Sequence, residues 1–276
     1  MFVEKMRKAV LVGFRYEGDK KLPGIVVDLY QIYIFLKENG WKEEDIYVLT
    51  DVKGDQDTNV LRKAILEKIV DTNILSFISL LKKNNRYIRY KTYSHSNNFT
   101  SIFIKDGTGP QNLFFYYSGH SKDNCFVLPS DALVSFNTFL DLTYDEVFII
   151  LDCCEGDLGL TYQCFDNFYR FRNEKFFAKH ILAFSSSLDN EKSLTDAAGS
   201  LFTKNIVKTL RKRSSVYKIL QESKNSQKQQ RQNVKQKDFK ATINISASYP
   251  LEYVFSWVYK DVYLTLLRSP YYVRML

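Results

Sequence analysis

Apolar residues in this chain fall into short continuous runs rather than into strict alternation. Lys8-Ala-Val-Leu-Val-Gly13 is rich in valine and broken by glycine, and Ile46 to Thr50, Leu113 to Tyr117, Val147 to Leu151 and Ile181 to Phe184 share its character. Runs of this kind suit strands buried on both faces of a parallel sheet. Between them the spacing turns helical: Leu22 to Asn39, closed by Gly40, then Asn59 to Leu81, then Gly199 to Lys212, where Leu201, Ile206, Val207 and Leu210 share one face. Alternating strand and helix predict a three-layer α/β/α sandwich with a mainly parallel central sheet and right-handed crossovers.

Two stretches break the rhythm. From Lys82 to Gly109 the polar markers NN, SHSNN and GTGP predict a surface insertion. The stretch 223–240, SKNSQKQQRQNVKQKDFK, has almost no large apolar residues to offset the entropy of ordering and is expected to be a loop. Ala241 to Ser246 then alternates enough to be a returning strand. The expected organisation is one domain over 1–250, with the insertion at about 82–109 and the basic loop at 223–240. An aromatic-rich C-terminal segment, 251–276, packs back on it as a helix.

Composition changes this picture little. With 276 residues, 45% of them apolar and 15% aromatic, the chain can fill a substantial core. The net charge of +8 resides wholly in 211–240, which holds ten Lys and Arg against two acids, while the rest carries 29 bases and 29 acids. Such tracts are usually solvated, so nucleic acid is not the expected partner, although this stretch leaves a weak nucleic-acid-binding reading open. There is no apolar run of about 18 residues and the first ten residues are charged, so no membrane span or signal peptide is expected and the expected location is cytoplasmic. The four cysteines, Cys125, Cys153, Cys154 and Cys164, lack zinc or disulfide spacing and are expected to be reduced.

Ligands and catalytic groups in open α/β sheets gather beyond the carboxyl ends of the strands. Leu113-Phe-Phe-Tyr-Tyr117 runs into Ser118-Gly119-His120-Ser121, and Val147-Phe-Ile-Ile-Leu151 runs into Asp152-Cys153-Cys154-Glu155-Gly156-Asp157. If these strands are neighbours, a histidine and a cysteine meet at one sheet edge. An imidazole beside a thiol of pKa about 8.5 yields a thiolate nucleophile and later an acid for the leaving amine. The backbone N–H groups of Ser121 and Cys154 are candidate oxyanion donors. The bland alternative is that histidine and cysteine at strand ends are common. His95 and His180 lack a comparable turn, and Cys125, before Phe126-Val-Leu, reads as a small core residue.

Tyr-Tyr-Ser-Gly-His (116–120) and Leu151-Asp-Cys-Cys-Glu-Gly156 resemble the histidine and cysteine motifs of the caspase and metacaspase family of cysteine peptidases. The resemblance extends in order through Ala9-Val-Leu-Val-Gly13, Leu22-Pro-Gly with Asp28, Ile46-Tyr-Val-Leu-Thr-Asp51, Ala183-Phe-Ser-Ser-Ser187 and Gly199-Ser-Leu-Phe-Thr203, covering roughly residues 8–212. It implies His120 and Cys154 as the catalytic pair, with Cys153 a packing residue. It also implies a substrate pocket containing Asp28, Ser118 and Asp152. Two carboxylates there favour Arg or Lys before the cleaved bond, as in metacaspases. Protein or peptide substrates and regulated proteolysis, including cell death, follow from the same resemblance. So does self-processing, for which Arg170, Arg172 and Lys175 are candidate sites. No organic cofactor is implied, and the short span from His120 to Cys154 lacks the acidic cluster that would bind calcium.

Departures from the family pattern are Ser121 for the glycine after the histidine, Ile25 for a frequent cysteine, and Glu155 and Asp157 around the nucleophile. A positive φ at Ser121 would distort the oxyanion donors, and the two acids would oppose thiolate formation. These substitutions keep open a second reading: a catalytically inactive relative that binds peptides or acts as a regulatory decoy.

Overall fold

The computed structural model describes residues 6–51, 69–70, 85–93, 99–106, 111–136, 144–160, 162–165, 168–171, 180–188, 195–212, 218, 221–222, 225, 243–248, 255 and 258. Its strands are β1 (Met6–Gly13), β2 (Ile46–Thr50), β3 (Ile69–Val70), β4 (Asn85–Tyr93), β5 (Phe99–Asp106), β6 (Gln111–Ser118), β7 (Ser121–Lys122) and β8 (Cys125–Val127). They continue as β9 (Leu133–Ser135), β10 (Glu146–Asp152), β11 (Tyr162–Phe165), β12 (Phe168–Phe171), β13 (His180–Ser185), β14 (Thr195–Asp196), β15 (Gly199–Ser200) and β16 (Asn244–Ala247). The helices are α1 (Ile25–Glu38) and α2 (Leu201–Arg211).

Each apolar run of the sequence becomes a strand of one sheet, ordered β12-β11-β16-β13-β10-β6-β1-β2-β3. Neighbours from β13 to β3 are parallel, and β16, β11 and β12 join antiparallel at one edge. With its helices this mixed, mainly parallel sheet makes the expected α/β sandwich. Ala9 and Leu11 of β1 pack with α1 and α2 on one face. Val10 and Val12 pack on the other face with Phe126 and Val134 of a second, five-stranded sheet and with Leu128 and Phe136, which follow its strands. Alternate residues of a strand thus fill two cores, which is why the runs are continuously apolar.

Local signals set the helix ends. Asn39 and Gly40, the latter at φ 71°, terminate α1, and the Ser200 hydroxyl accepts from the N–H groups of Phe202 and Thr203 to start α2.

Several expectations change. The helix read over 59–81 is interrupted, because residues 69–70 pair in parallel with β2; the rest of that stretch lies outside the described residues. The stretch 82–109 contains the hairpin β4–β5, and β4 pairs with β9 in the second sheet. The returning strand begins at Asn244 rather than Ala241. Apart from residue 225, the loop 223–240 lies outside the described residues. Of the C-terminal segment only Phe255 and Val258 are described, and both are buried in the core on the α1 face. Among the described residues no helix is long and apolar enough to cross a membrane.

Candidate active site

The chain runs from β1 outward to β2 and β3, then returns to the opposite side of β1 through β6, β10 and β13. The order reverses beside β1, and the crevice beyond the strand ends at such a switch is where ligands bind. Three turns line it: residues 14–22 after β1, 119–120 after β6 and 153–157 after β10.

β6 and β10 are parallel neighbours in a register that sets Ser118 opposite Asp152. His120 and Cys154 each lie two residues beyond that pair, on strands about 4.8 Å apart. The ladder continues one step past the strands, since Gly119 N–H donates to Asp152 O at 3.3 Å. Adjacency of the histidine and cysteine strands, a condition in the sequence, is thus met.

His120 is gripped on several sides. Its Nε2 lies 2.7 Å from the backbone carbonyl of Lys20. A carbonyl only accepts, so Nε2 carries a proton, and in the neutral ring Nδ1 is then the nitrogen with a lone pair. His120 N–H donates to the Tyr16 hydroxyl at 2.9 Å, and His120 O accepts from the Tyr117 hydroxyl at 2.5 Å and from Val127 N–H at 3.0 Å. The rings of Tyr16 and His120 pack with centroids 4.6 Å apart. Burial pushes the phenols of Tyr16 and Tyr117 far up, so both remain neutral donors.

The bond from Val127 N–H to His120 O extends the β7–β8 ladder by one step on one side, the Tyr16 hydroxyl standing between His120 N–H and Val127 O on the other. The next pair, Ser121 with Phe126, is then of the non-bonded type, and the Ser121 N–H points away from β8. Ser121 is not among the non-glycine residues with positive φ, so replacing glycine here imposes no left-handed strain. Its hydroxyl instead donates to the Cys154 carbonyl and ties the two turns together.

In the cysteine turn, Cys153 is buried, and burial drives its thiol well up, a hydrogen bond with Ser121 opposing it and the charges of Asp152 and Glu155 adding to it. Its carbonyl accepts from Ser186 and Ser187 hydroxyls at 3.1 and 2.8 Å. Cys154 is half-buried. The two added acids both accept hydrogen bonds. Glu155, at φ 50°, accepts from Asp123 N–H at 3.1 Å, and Asp157 accepts from Gly159 N–H and Gln163 Nε2 at 2.8 and 2.6 Å.

Asp28, Ser118 and Asp152 gather around Tyr116. Thr203 Oγ1 donates to Asp152 Oδ2 at 2.7 Å and lies 2.8 Å from the Tyr116 hydroxyl, and Asp28 Oδ1 accepts from Ser200 N–H at 2.8 Å. Burial raises the Tyr116 phenol most, the charges of Asp28 and Asp152 raise it further, and hydrogen bonds with Thr203 and Ser118 oppose them. The positive end of α2 faces both carboxylates. All three candidate pocket residues are buried at 5% exposure or less, so they form a floor below the crevice rather than its rim. Ile25, at the position of the frequent cysteine, is a core residue.

A family model described as the caspase domain matches residues 6–247. The chain belongs to the caspase-domain family. No curated protein sequence matches it. A crystal structure of a protein from Geobacter sulfurreducens matches with a TM-score of 0.52 and 12% identity, over 95% of this chain and 100% of that one, and shares the fold. The crystal structure of caspase-1 from Spodoptera frugiperda matches with a TM-score of 0.45 and 14% identity, over 81% of this chain and 77% of that one.

Sequence reading of this caspase domain missed Tyr16 and Lys20, and gave no role to the hydroxyls of Thr203, Tyr116 and Tyr117, which stand in the matched motifs. Tyr16 and Lys20 lie in a turn without periodicity, and Lys20 acts through its backbone, so its side chain gave no signal. Asp51 stood in the matched order without a role; in the structure it accepts from the N–H groups of Arg15 and Tyr16. His180 is exposed at the start of β13, Cys125 is buried, and His95 lies outside the described residues. Among the described residues no group of three or more His, Cys, Asp or Glu is placed to hold a metal ion.

Proposed function

We propose that this caspase-domain protein is a cysteine-type endopeptidase, closer to metacaspases than to caspases, that cleaves peptide bonds after Arg or Lys. The observation that carries this is the Ser118–Asp152 register, which sets His120 and Cys154 at equal steps beyond paired strands while Lys20 O holds Nε2 and leaves Nδ1 as the basic nitrogen. In the reaction His120 takes the Cys154 proton and the thiolate attacks the scissile carbonyl. The oxyanion forms beside the N–H groups of Ser121 and Cys154. His120 returns the proton to the departing amine, leaving a thioester that water hydrolyses, with His120 again as base. Asp28 and Asp152, with Ser118 between them, attract the guanidinium or ammonium of the residue before the cleaved bond. The ordinary backbone at Ser121 supports an active over an inactive reading. Self-processing is proposed after Arg172 or Lys175. Arg170 is paired with Gln163 on the edge strand β12 and would first have to leave the ladder.

The test is hydrolysis of fluorogenic peptides ending in Arg, Lys or Asp by wild type and Cys154→Ala, in reducing buffer, with and without calcium. Cleavage after Arg or Lys that vanishes in the variant is expected, together with two chain fragments in wild type alone. A wild type as inert as the variant under every condition would replace this reading with the inactive peptide-binding one. Cleavage confined to Asp would overturn the acidic pocket.

A further inference from the structure

The caspase-domain reading gives roles to the turns after β6 and β10 but none to the side chains of the turn after β1. Tyr16 there has φ 56°, a left-handed conformation rare for an aromatic residue. Two contacts hold it: Asp51, at the end of β2, accepts from Arg15 N–H through Oδ1 at 2.6 Å and from Tyr16 N–H through Oδ2 at 2.7 Å. Leu22 N–H closes the turn on Arg15 O at 2.7 Å. So fixed, Tyr16 extends under the histidine turn. Its hydroxyl donates to Val127 O at 2.7 Å and accepts from His120 N–H at 2.9 Å, while its ring packs on the imidazole at 4.6 Å. Lys20, whose carbonyl holds Nε2, belongs to the same turn.

We propose that Tyr16, clamped by Asp51, is the positioning residue that holds the His120 imidazole in one orientation and one tautomer for proton transfer with Cys154. One side chain meets the backbone and the face of the ring, and the turn it belongs to meets the remote nitrogen. Displacing Tyr16 loosens all three. A catalytic group displaced by about 1 Å loses about 10²-fold in rate while substrate contacts persist. The change therefore falls on kcat and not on KM. The inference rests on the peptidase reading for its kinetic consequence but not for its structural one.

The experiment uses the full chain, with Tyr16→Phe, Tyr16→Leu and Asp51→Asn. Long-range nitrogen–proton NMR of the imidazoles, assigned by the loss of one signal set in His120→Asn, reads the tautomer of His120 directly. Wild type is expected to show the Nε2–H form. Tyr16→Leu should show averaging between tautomers and a kcat about 10²-fold lower, with KM within a few-fold and an altered pH profile. Tyr16→Phe, isosteric and the variant to rely on if Tyr16→Leu does not fold, should lie between, and Asp51→Asn should follow it. A His120 tautomer and kcat unchanged in both Tyr16 variants would overturn the inference. A wild type inert toward every peptide but with a tautomer that depends on Tyr16 would refute the peptidase reading alone and leave the positioning role standing.

Discussion

Gly119 offers a sharp test of how the histidine turn is packed. A Cβ added there would lie 2.7 Å from the Tyr117 hydroxyl oxygen and 2.8 Å from that of Tyr16, where ordinary contact begins at 3.4 Å. Gly119 is not among the glycines with positive φ, so alanine is compatible with the backbone. Were packing irrelevant, Gly119→Ala would stabilise the protein by about 0.4–1 kcal/mol by stiffening the unfolded chain. Packing opposes this. Moving both hydroxyls back by about 0.7 Å stretches three bonds, Tyr16 to Val127 O, His120 N–H to Tyr16, and Tyr117 to His120 O, from 2.7, 2.9 and 2.5 Å toward the outer limit of about 3.2 Å or past it. At about 1 kcal/mol each the loss is about 3 kcal/mol, and the net destabilisation after the entropic gain is about 2–3 kcal/mol.

Urea denaturation at neutral pH measures this directly, and a thermal melt should fall by about 4–12 °C. Tyr117→Phe removes one of the two clashing oxygens, so adding it to Gly119→Ala should cost less than it costs wild type, with a coupling of about 1 kcal/mol in a double-mutant cycle. A Gly119→Ala protein as stable as wild type within about 0.5 kcal/mol would show that the hydroxyls do not occupy the space beside Gly119, and the account of His120's seat would fall with it.

Thr203→Val keeps the shape of the side chain but removes the donor to buried Asp152 and the partner of Tyr116. A loss of about 2–4 kcal/mol in urea denaturation is expected, and a loss below about 0.5 kcal/mol would show that Asp152 does not depend on that hydroxyl. The raised phenols of Tyr16, Tyr116 and Tyr117 predict a contribution to stability that is complete below about pH 10, the unfolded value, and is lost as pH rises toward their folded values, after the raised Cys153 thiol has begun to act from about pH 9. Three such groups give a slope of about 4 kcal/mol per pH unit above pH 10. The check is phenolate absorbance, in which these three titrate only with unfolding; full reversible titration of all tyrosines in the folded protein would contradict their burial.

Much of this was legible because the central strands are buried on both faces, which makes an apolar run a sufficient signal. The histidine and cysteine turns followed from where those runs end. The second sheet was not legible for an instructive reason. Asn85–Tyr93 and Phe99–Asp106 lack a clean alternation and flank SHSNN, so the stretch reads as a long loop although the two runs pair antiparallel. β7 to β9 are two or three residues long, too short for any period to register, and exist only through their partners. The same holds for β11 and β12. Their place at the sheet edge depends on β16, some 75 residues further on, and no local pattern encodes that pairing. Asp28, Ser118 and Asp152 were singled out by motif order, while the hydroxyls that bond beside them, Thr203 and Tyr116, stand in quoted motifs without a charge to suggest their role.

The motif glycines show why the order of letters carried so much. Gly199, at φ 94°, lies where a Cβ would fall 2.5 Å from Asp28 Oδ1, and the next residue donates its N–H to that oxygen. Ser200 then caps α2, and Thr203, one turn on, reaches Asp152. Gly199-Ser-Leu-Phe-Thr203 is therefore a single device that brings a helix start against two buried carboxylates. Tyr-Ser-Gly-His does the corresponding work at the next turn, with Gly119 clearing space for the hydroxyls that hold His120. Each glycine is required by a partner far away in sequence, Asp28 in one case and Tyr16 in the other. A larger residue at 119 also meets the Tyr117 ring carbon at 2.9 Å, so it displaces that ring as well as both hydroxyls, and His120 keeps only the Val127 N–H on its carbonyl.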